Sequence, residues 1–110
     1  MRKTLILALA AGSTLLSLPA FAEGDAAAGK VKAYTCTGCH GIEGYKNTYP
    51  NYHVPKLAGQ NAAYVESALK AYRAGDRDHS TMNLQSESLS DEDIADIAAW
   101  FASLGTEDTE

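Results

Sequence analysis

Two cysteines occur in the whole chain, and a histidine follows the second of them directly: Cys36-Thr37-Gly38-Cys39-His40. Cys-x-x-Cys-His is the attachment signature of a c-type haem. Each thiol adds to one vinyl group of a porphyrin and forms a thioether. The spacer between the cysteines sets the sulfurs about one vinyl-to-vinyl distance apart, and His40 then falls beneath the iron, where its imidazole can ligate. A chain tethered in this way has to wrap a flat, largely apolar plate, which limits the folds open to it.

Other chemistries of the pair are weaker. A redox-active Cys-x-x-Cys belongs in a thioredoxin-like βαβ setting. Here the residues before Cys36 lack a β-branched run, and Ala26-Ala27-Ala28-Gly29-Lys30-Val31-Lys32-Ala33 reads as helix. A zinc site would draw on His40 with His53 or His79, but structural zinc sites take their ligands as two close pairs, and no second pair is present. A plain disulfide would close a tiny loop and contribute little.

Residues 1–22 read as a secretory signal peptide. Arg2 and Lys3 give a positive start, Leu5 to Leu18 is apolar, and Ala20-Phe21-Ala22 places small residues where a signal peptidase reads them. The apolar stretch is shorter than the ~20 residues a membrane-spanning helix needs, which favours cleavage after Ala22 over a retained anchor. The expected mature chain, 23–110, is one small domain. Export of a chain whose thiols must stay reduced until a porphyrin is joined points to a bacterial periplasm. Loss of Arg2 and Lys3 takes the formal charge from −5 to −7. That balance argues against nucleic acid or an anionic membrane surface as a partner.

The apolar content of residues 23–110 is low. Leu, Ile, Val and Phe together number 12 there, about 14%, below the ~20% under which a charged chain tends to disorder. A buried porphyrin would supply the missing apolar surface. The expectation is that the haem is part of the core and that the apoprotein is largely unfolded.

Three helices are legible. The first starts at the N-cap Asp25 and runs through Gly29 to about Tyr34. The second runs from about Asn61 to Ala74, with Gly75 as its stop. Its residues Val65, Ala68, Leu69 and Tyr72 share one face. The third follows Ser90, with Asp93 completing a near capping box. Asp91, Glu92 and Asp93 suit the positive end of its dipole. Ile94, Ile97, Ala98 and Phe101 form its buried stripe, extended by Leu104 and ended by Gly105. The acidic tail from Thr106 reads as frayed. Two long loops remain: 41–59, rich in Tyr and Pro, and the polar 76–89. Loops of that length in so small a domain need a reason, and covering the two faces of a flat cofactor is one.

Iron held by His40 needs a sixth ligand or keeps an open site. Met82, in the second loop, is the one methionine of residues 23–110. Its thioether would approach from the face opposite His40 and raise the reduction potential relative to a second histidine. The competing reading, Met82 as core filler, fits poorly with Ser80, Thr81 and Asn83 around it. His53 and His79 are alternative ligands, and His79 lies close enough in sequence that position alone leaves it open.

The segments Gly24-Asp25-Ala26-Ala27-Ala28-Gly29-Lys30, Cys36 to Gly41, Pro55-Lys56-Leu57-Ala58-Gly59-Gln60, Met82 and Leu89 to Ala98, in that order, resemble the class I c-type cytochromes. Within that family the chain is most similar to a single-haem half of the periplasmic dihaem c-four type. The resemblance covers nearly all of 24–105. It implies an all-α fold of three main helices and two long loops wrapped around one covalent haem c. It also implies that Cys36 and Cys39 hold the haem, that His40 and Met82 are its axial ligands, and that the Pro55 carbonyl accepts a hydrogen bond from the His40 Nδ1–H. The first and last helices would pack across Gly29. The stretch 42–54, with Tyr45, Tyr49 and Tyr52, is longer and richer in tyrosine than the type, and reads either as a packed surface loop or as a docking surface or propionate shield.

The implied function is a periplasmic one-electron carrier with no enzymatic activity of its own, docking transiently with a redox donor and acceptor and without stable membrane insertion. A monomer is the simplest state. The alternative is a haem c subunit of a larger respiratory or sulfur-oxidising complex. A gas sensor or peroxidase with open iron is a further one. Lys46 and Lys56 would either flank the exposed haem edge or simply solubilise the chain.

Overall fold

The computed structural model describes residues 23–42 and 44–105. The signal peptide expected at 1–22 and the tail 106–110 lie outside the described residues. Five helices and one hairpin follow in order: α1 (Ala26–Lys32), α2 (Tyr34–His40), β1 (Lys46–Thr48), β2 (Asn51–His53), α3 (Ala62–Ala74), α4 (Ser80–Ser86) and α5 (Asp91–Ser103). No helix among the described residues is long and apolar enough to cross a membrane.

The three expected helices start on the residues that signal them, and the second also stops on its signalled glycine. The Asp25 side chain accepts from the backbone N–H of Ala27 and Ala28, and Asn61 Oδ1 accepts from Tyr64 N. These groups satisfy donors that a helix start otherwise leaves without a partner. At α5, Ser90 and Asp93 exchange hydrogen bonds in a complete capping box. Gly75 ends α3 in the left-handed conformation, φ 82°, a position that favours glycine.

The α5 stripe is buried as expected, whereas of the α3 stripe Val65 and Leu69 are buried and Ala68 and Tyr72 only half-buried. Val65 and Leu69 of α3 and Ile94, Ile97, Ala98 and Phe101 of α5 are buried together with Ala33. Around this nucleus lie half-buried Cys36, Leu57, Ala62, Met82, Leu89, Trp100 and Leu104. Residues from both candidate haem-facing segments therefore touch one core.

Helices α1 and α5 cross at glycines. A Cβ on Gly29 would stand 1.9 Å from the Asp96 carbonyl oxygen, and one on Gly24 would stand 2.0 Å from that of Ala95. The close approach across Gly29 implied by the resemblance is present. Asp96 strengthens the crossing: its Oδ1 accepts from Asp25 N at 2.7 Å and its Oδ2 from Lys32 Nζ at 2.6 Å.

Both long loops contain short regular elements that the sequence reading did not include. In the first, β1 and β2 form an antiparallel hairpin pairing Lys46 with His53, Asn47 with Tyr52 and Thr48 with Asn51. Its turn is Tyr49-Pro50, with a cis peptide bond. In the second, Ser80–Ser86 is the helix α4. The first helix also differs: it breaks at Ala33 and resumes as α2, so the attachment motif is itself helical. Thr35, Thr37 and Gly38 are weak helix formers, and fully buried Ala33 anchors the segment instead.

Candidate functional site

The attachment motif occupies α2. One helical turn separates Cys36 from Cys39, which places both on one face. Cys36 is half-buried against the core and Cys39 is exposed, and the two are not joined to each other. Burial pushes the Cys36 thiol above its ordinary pKa. The helix is locked at its end by Gly41 N donating to Thr37 O at 3.0 Å, and Thr37 Oγ1 donates to Tyr34 O at 2.8 Å.

His40 closes α2. Its Nδ1 lies 2.7 Å from the Pro55 carbonyl oxygen. With the proton on Nδ1, the ring donates to that carbonyl and Nε2 keeps a free lone pair, as a metal-ligating histidine requires. Pro55 is itself held in place through the chain that follows it. Gly59 N donates to Phe101 O at 2.8 Å, and a Cβ on Gly105 would come within 2.5 Å of the Gly59 Cα. The end of α5 thus fixes the segment that orients His40.

Met82 is the third residue of α4 and is half-buried against the core. The helix is tied down on several sides. Asn83 Nδ2 donates to Tyr72 O at 2.7 Å and to Arg77 O at 2.9 Å. Fully buried Ser86 donates to Met82 O at 2.8 Å.

The rival histidines have other occupations. His53 is exposed in the hairpin opposite Lys46. His79 is the N-cap of α4, its Nδ1 accepting from Met82 N. Histidine ranks low as a cap, so nothing in the sequence signalled this role. Among the described residues no group of three or more His, Cys, Asp and Glu gathers as metal ligands. Lys46 and Lys56 are both exposed.

The donor set is therefore a helical thiol pair, an oriented imidazole and a thioether on a separate helix, with Cys36 and Met82 bordering one small core. That set fits a covalently attached porphyrin: two sulfurs for its vinyl groups, and nitrogen and sulfur donors for its iron.

A family model described as cytochrome c matches residues 26–105. The chain belongs to the cytochrome c family. It is 51% identical over 83 residues to cytochrome c-554(548) of Halomonas halodenitrificans, covering 73% of this chain and 96% of that protein. It is 46% identical over 84 residues to cytochrome c4 of Pseudomonas aeruginosa, covering 76% of this chain and 40% of that one. A solved structure of cytochrome c4 from Acidithiobacillus ferrooxidans superposes with a TM-score of 0.57 at 25% identity, over 80% of this chain and 57% of the other. The chain thus spans less than half the length of the Pseudomonas relative, consistent with a single-haem half of a c4-type protein. As a member of the family it binds one covalent haem c, for which Cys36 and Cys39 supply the attachment motif, and it is an electron carrier and not an enzyme.

Proposed function

We propose that the chain is a periplasmic one-electron carrier with a single haem c held axially by His40 and Met82. The observation that carries this reading is the 2.7 Å contact between His40 Nδ1 and the Pro55 carbonyl. It fixes the tautomer, leaves Nε2 to ligate and enriches its lone pair.

When bound, haem c supplies reversible exchange of one electron between ferric and ferrous iron. The residues of the chain set the conditions for that exchange. Cys36 and Cys39 prevent dissociation. His40, oriented by Pro55, contributes a stiff nitrogen donor. Met82 contributes a soft, neutral sulfur that favours the ferrous state. His40 is held through Pro55 by a segment tied to α5, and Met82 sits on a helix tied to α3, so both would move little between oxidation states and the reorganisation on electron transfer would be small.

Residues 1–22 act in this reading as the export signal. Redox proteins of the periplasm dock transiently as donor and acceptor.

The test is spectroscopic. The oxidised holoprotein is expected to show the weak long-wavelength sulfur-to-iron band, and Met82→Ala to lose it. An unchanged spectrum in Met82→Ala rejects the axial assignment. Slow carbon monoxide binding to the reduced protein is expected, and rapid binding would favour an open iron. Fractionation of the producing cell, with N-terminal sequencing at Glu23, tests the location.

A further inference from the structure

We infer that His79 and Tyr52 are positioning residues for the Met82 thioether, and that this is the task of the tyrosine-bearing hairpin. The inference rests on the proposed Met82 ligation and explains how the chain holds that ligand in place.

Helix α4 has only seven residues. A helix so short is marginal by itself, and its first N–H groups need partners from outside. His79 provides one for Met82. Its Nδ1 accepts the Met82 N–H at a long 3.4 Å, and in return His79 N donates to Asn83 Oδ1 at 3.0 Å. The pair of contacts has the reciprocal logic of a capping box. As an acceptor, Nδ1 has its lone pair occupied, so His79 would have to abandon the cap to ligate iron.

Two rings hold the imidazole in position. Tyr52 of β2 meets it edge-on, with centroids 4.7 Å apart and planes at 85°. Tyr72 of α3 does so at 6.4 Å and 78°. Tyr52 makes a second contact: its hydroxyl lies 2.9 Å from Thr81 Oγ1. Thr81 precedes Met82 directly. A single hairpin side chain therefore braces the capping residue and the residue beside the sulfur ligand. Isolated two-stranded hairpins are marginal in water, so the docking also gives the hairpin its anchorage.

The experiment uses the oxidised holoprotein and measures the rate at which imidazole displaces the sulfur ligand, followed by loss of the sulfur-to-iron band. His79→Ala is expected to accelerate displacement about fivefold, the factor that a lost N-cap typically costs. His79→Asn restores an acceptor at the cap and should lie within about twofold of wild type. Tyr52→Phe removes the Thr81 contact and should also accelerate displacement. Asn61→Ala deletes the corresponding cap on α3 and serves as the control for general destabilisation; its displacement rate should match wild type. A His79→Ala rate equal to wild type overturns the inference, as does an equal acceleration in Asn61→Ala. If wild type lacks the band altogether, the ligation reading itself fails and the inference falls with it. If wild type has the band, Met82→Ala loses it and His79→Ala is unaltered, the inference alone fails.

Discussion

Gly29 and Asp96 meet where the first and last helices cross, so closely that a Cβ on the glycine would lie 1.9 Å from the aspartate's carbonyl oxygen. The same Asp96 reaches back with its side chain to Asp25 N and Lys32 Nζ, on either side of Gly29 in sequence. One residue of α5 thus receives α1 through backbone contact and holds it through charge. Helix α1 leads directly into the helix that bears the attachment motif, so this crossing sets where Cys36, Cys39 and His40 stand.

Gly29→Ala should destabilise the holoprotein although alanine is the better helix former. The added methyl meets backbone on α5, which cannot rotate aside, and the helices must separate. Overpacking of this kind costs about 2 kcal/mol after the propensity gain, equivalent to a fall in Tm of about 10 °C for a domain of this size. A thermal melt checks it. A Tm equal to or above wild type would show that the helices do not cross this tightly.

The cluster around Lys32 predicts a loss of stability in acid. Lys32 Nζ lies 2.6 Å from Asp96 Oδ2 and 3.0 Å from Asp93 Oδ1. The Ser90 backbone N–H and then Lys32 hold Asp93 down at about 2. Lys32 and then the Asp25 N–H hold Asp96 below the ordinary carboxylate range. Lys32 is raised by Asp96 and Asp93. A depressed carboxylate contributes stability above its unfolded pKa of ~3.9 and loses it as pH falls through the folded value. The loss therefore lies between about pH 4 and pH 2. The raised Lys32 keeps its contribution throughout the neutral range. Urea melts from pH 7 to pH 2 on wild type and on Asp93→Asn/Asp96→Asn should show a shallower acid decline in the variant. The asparagines keep the acceptor oxygens, so parallel declines would mean that the charges are not responsible.

The legible parts of this fold are those with local punctuation. Asp25, Asn61 and Ser90 cap their helices and Gly75 stops one, because a side-chain oxygen or a left-handed glycine acts within a few residues and its chemistry can be read there. The stripe of Ile94, Ile97, Ala98 and Phe101 is likewise a property of one segment. The attachment motif needed no structure at all. Helix α4 and the hairpin were illegible because their stability is borrowed across the fold. Helix α4 begins on a histidine braced by Tyr52 and Tyr72, and each hairpin strand has three residues, too few for alternation to register. The roles of His79 and Tyr52 exist only once β2, α3 and α4 have met.

Gly59→Ala should loosen the segment that orients His40. Gly59 has φ 79°, and a Cβ there would lie 3.1 Å from the Gly105 Cα. An alanine in that conformation costs about 1–2 kcal/mol, before any crowding against the end of α5. The expected result is a lower Tm together with a change in the haem spectrum, because Pro55 and its carbonyl precede the strained residue on the same short segment. A drop in Tm with the spectrum and the reduction potential unmoved would show that this segment does not govern the imidazole.

Removal of the cofactor should remove the fold. The described core contains five large apolar side chains, Val65, Leu69, Ile94, Ile97 and Phe101, and domains of this size seldom gain more than about 3–5 kcal/mol from a single core even when well filled. Cys36, Leu57 and Met82 border that core but are only half-buried, as expected of residues whose remaining surface is covered by a porphyrin. Without it the exposed apolar edges of α2 and α4 lose their main partner, while the backbone entropy opposing their order is unchanged. Cys36→Ala/Cys39→Ala, produced without haem, should therefore show weak helical circular dichroism and a broad, non-cooperative thermal transition. Helicity near that of the holoprotein with a sigmoidal melt would mean that α3, α5 and α1 suffice by themselves, and that the haem occupies a preformed shell instead of completing an unfinished one.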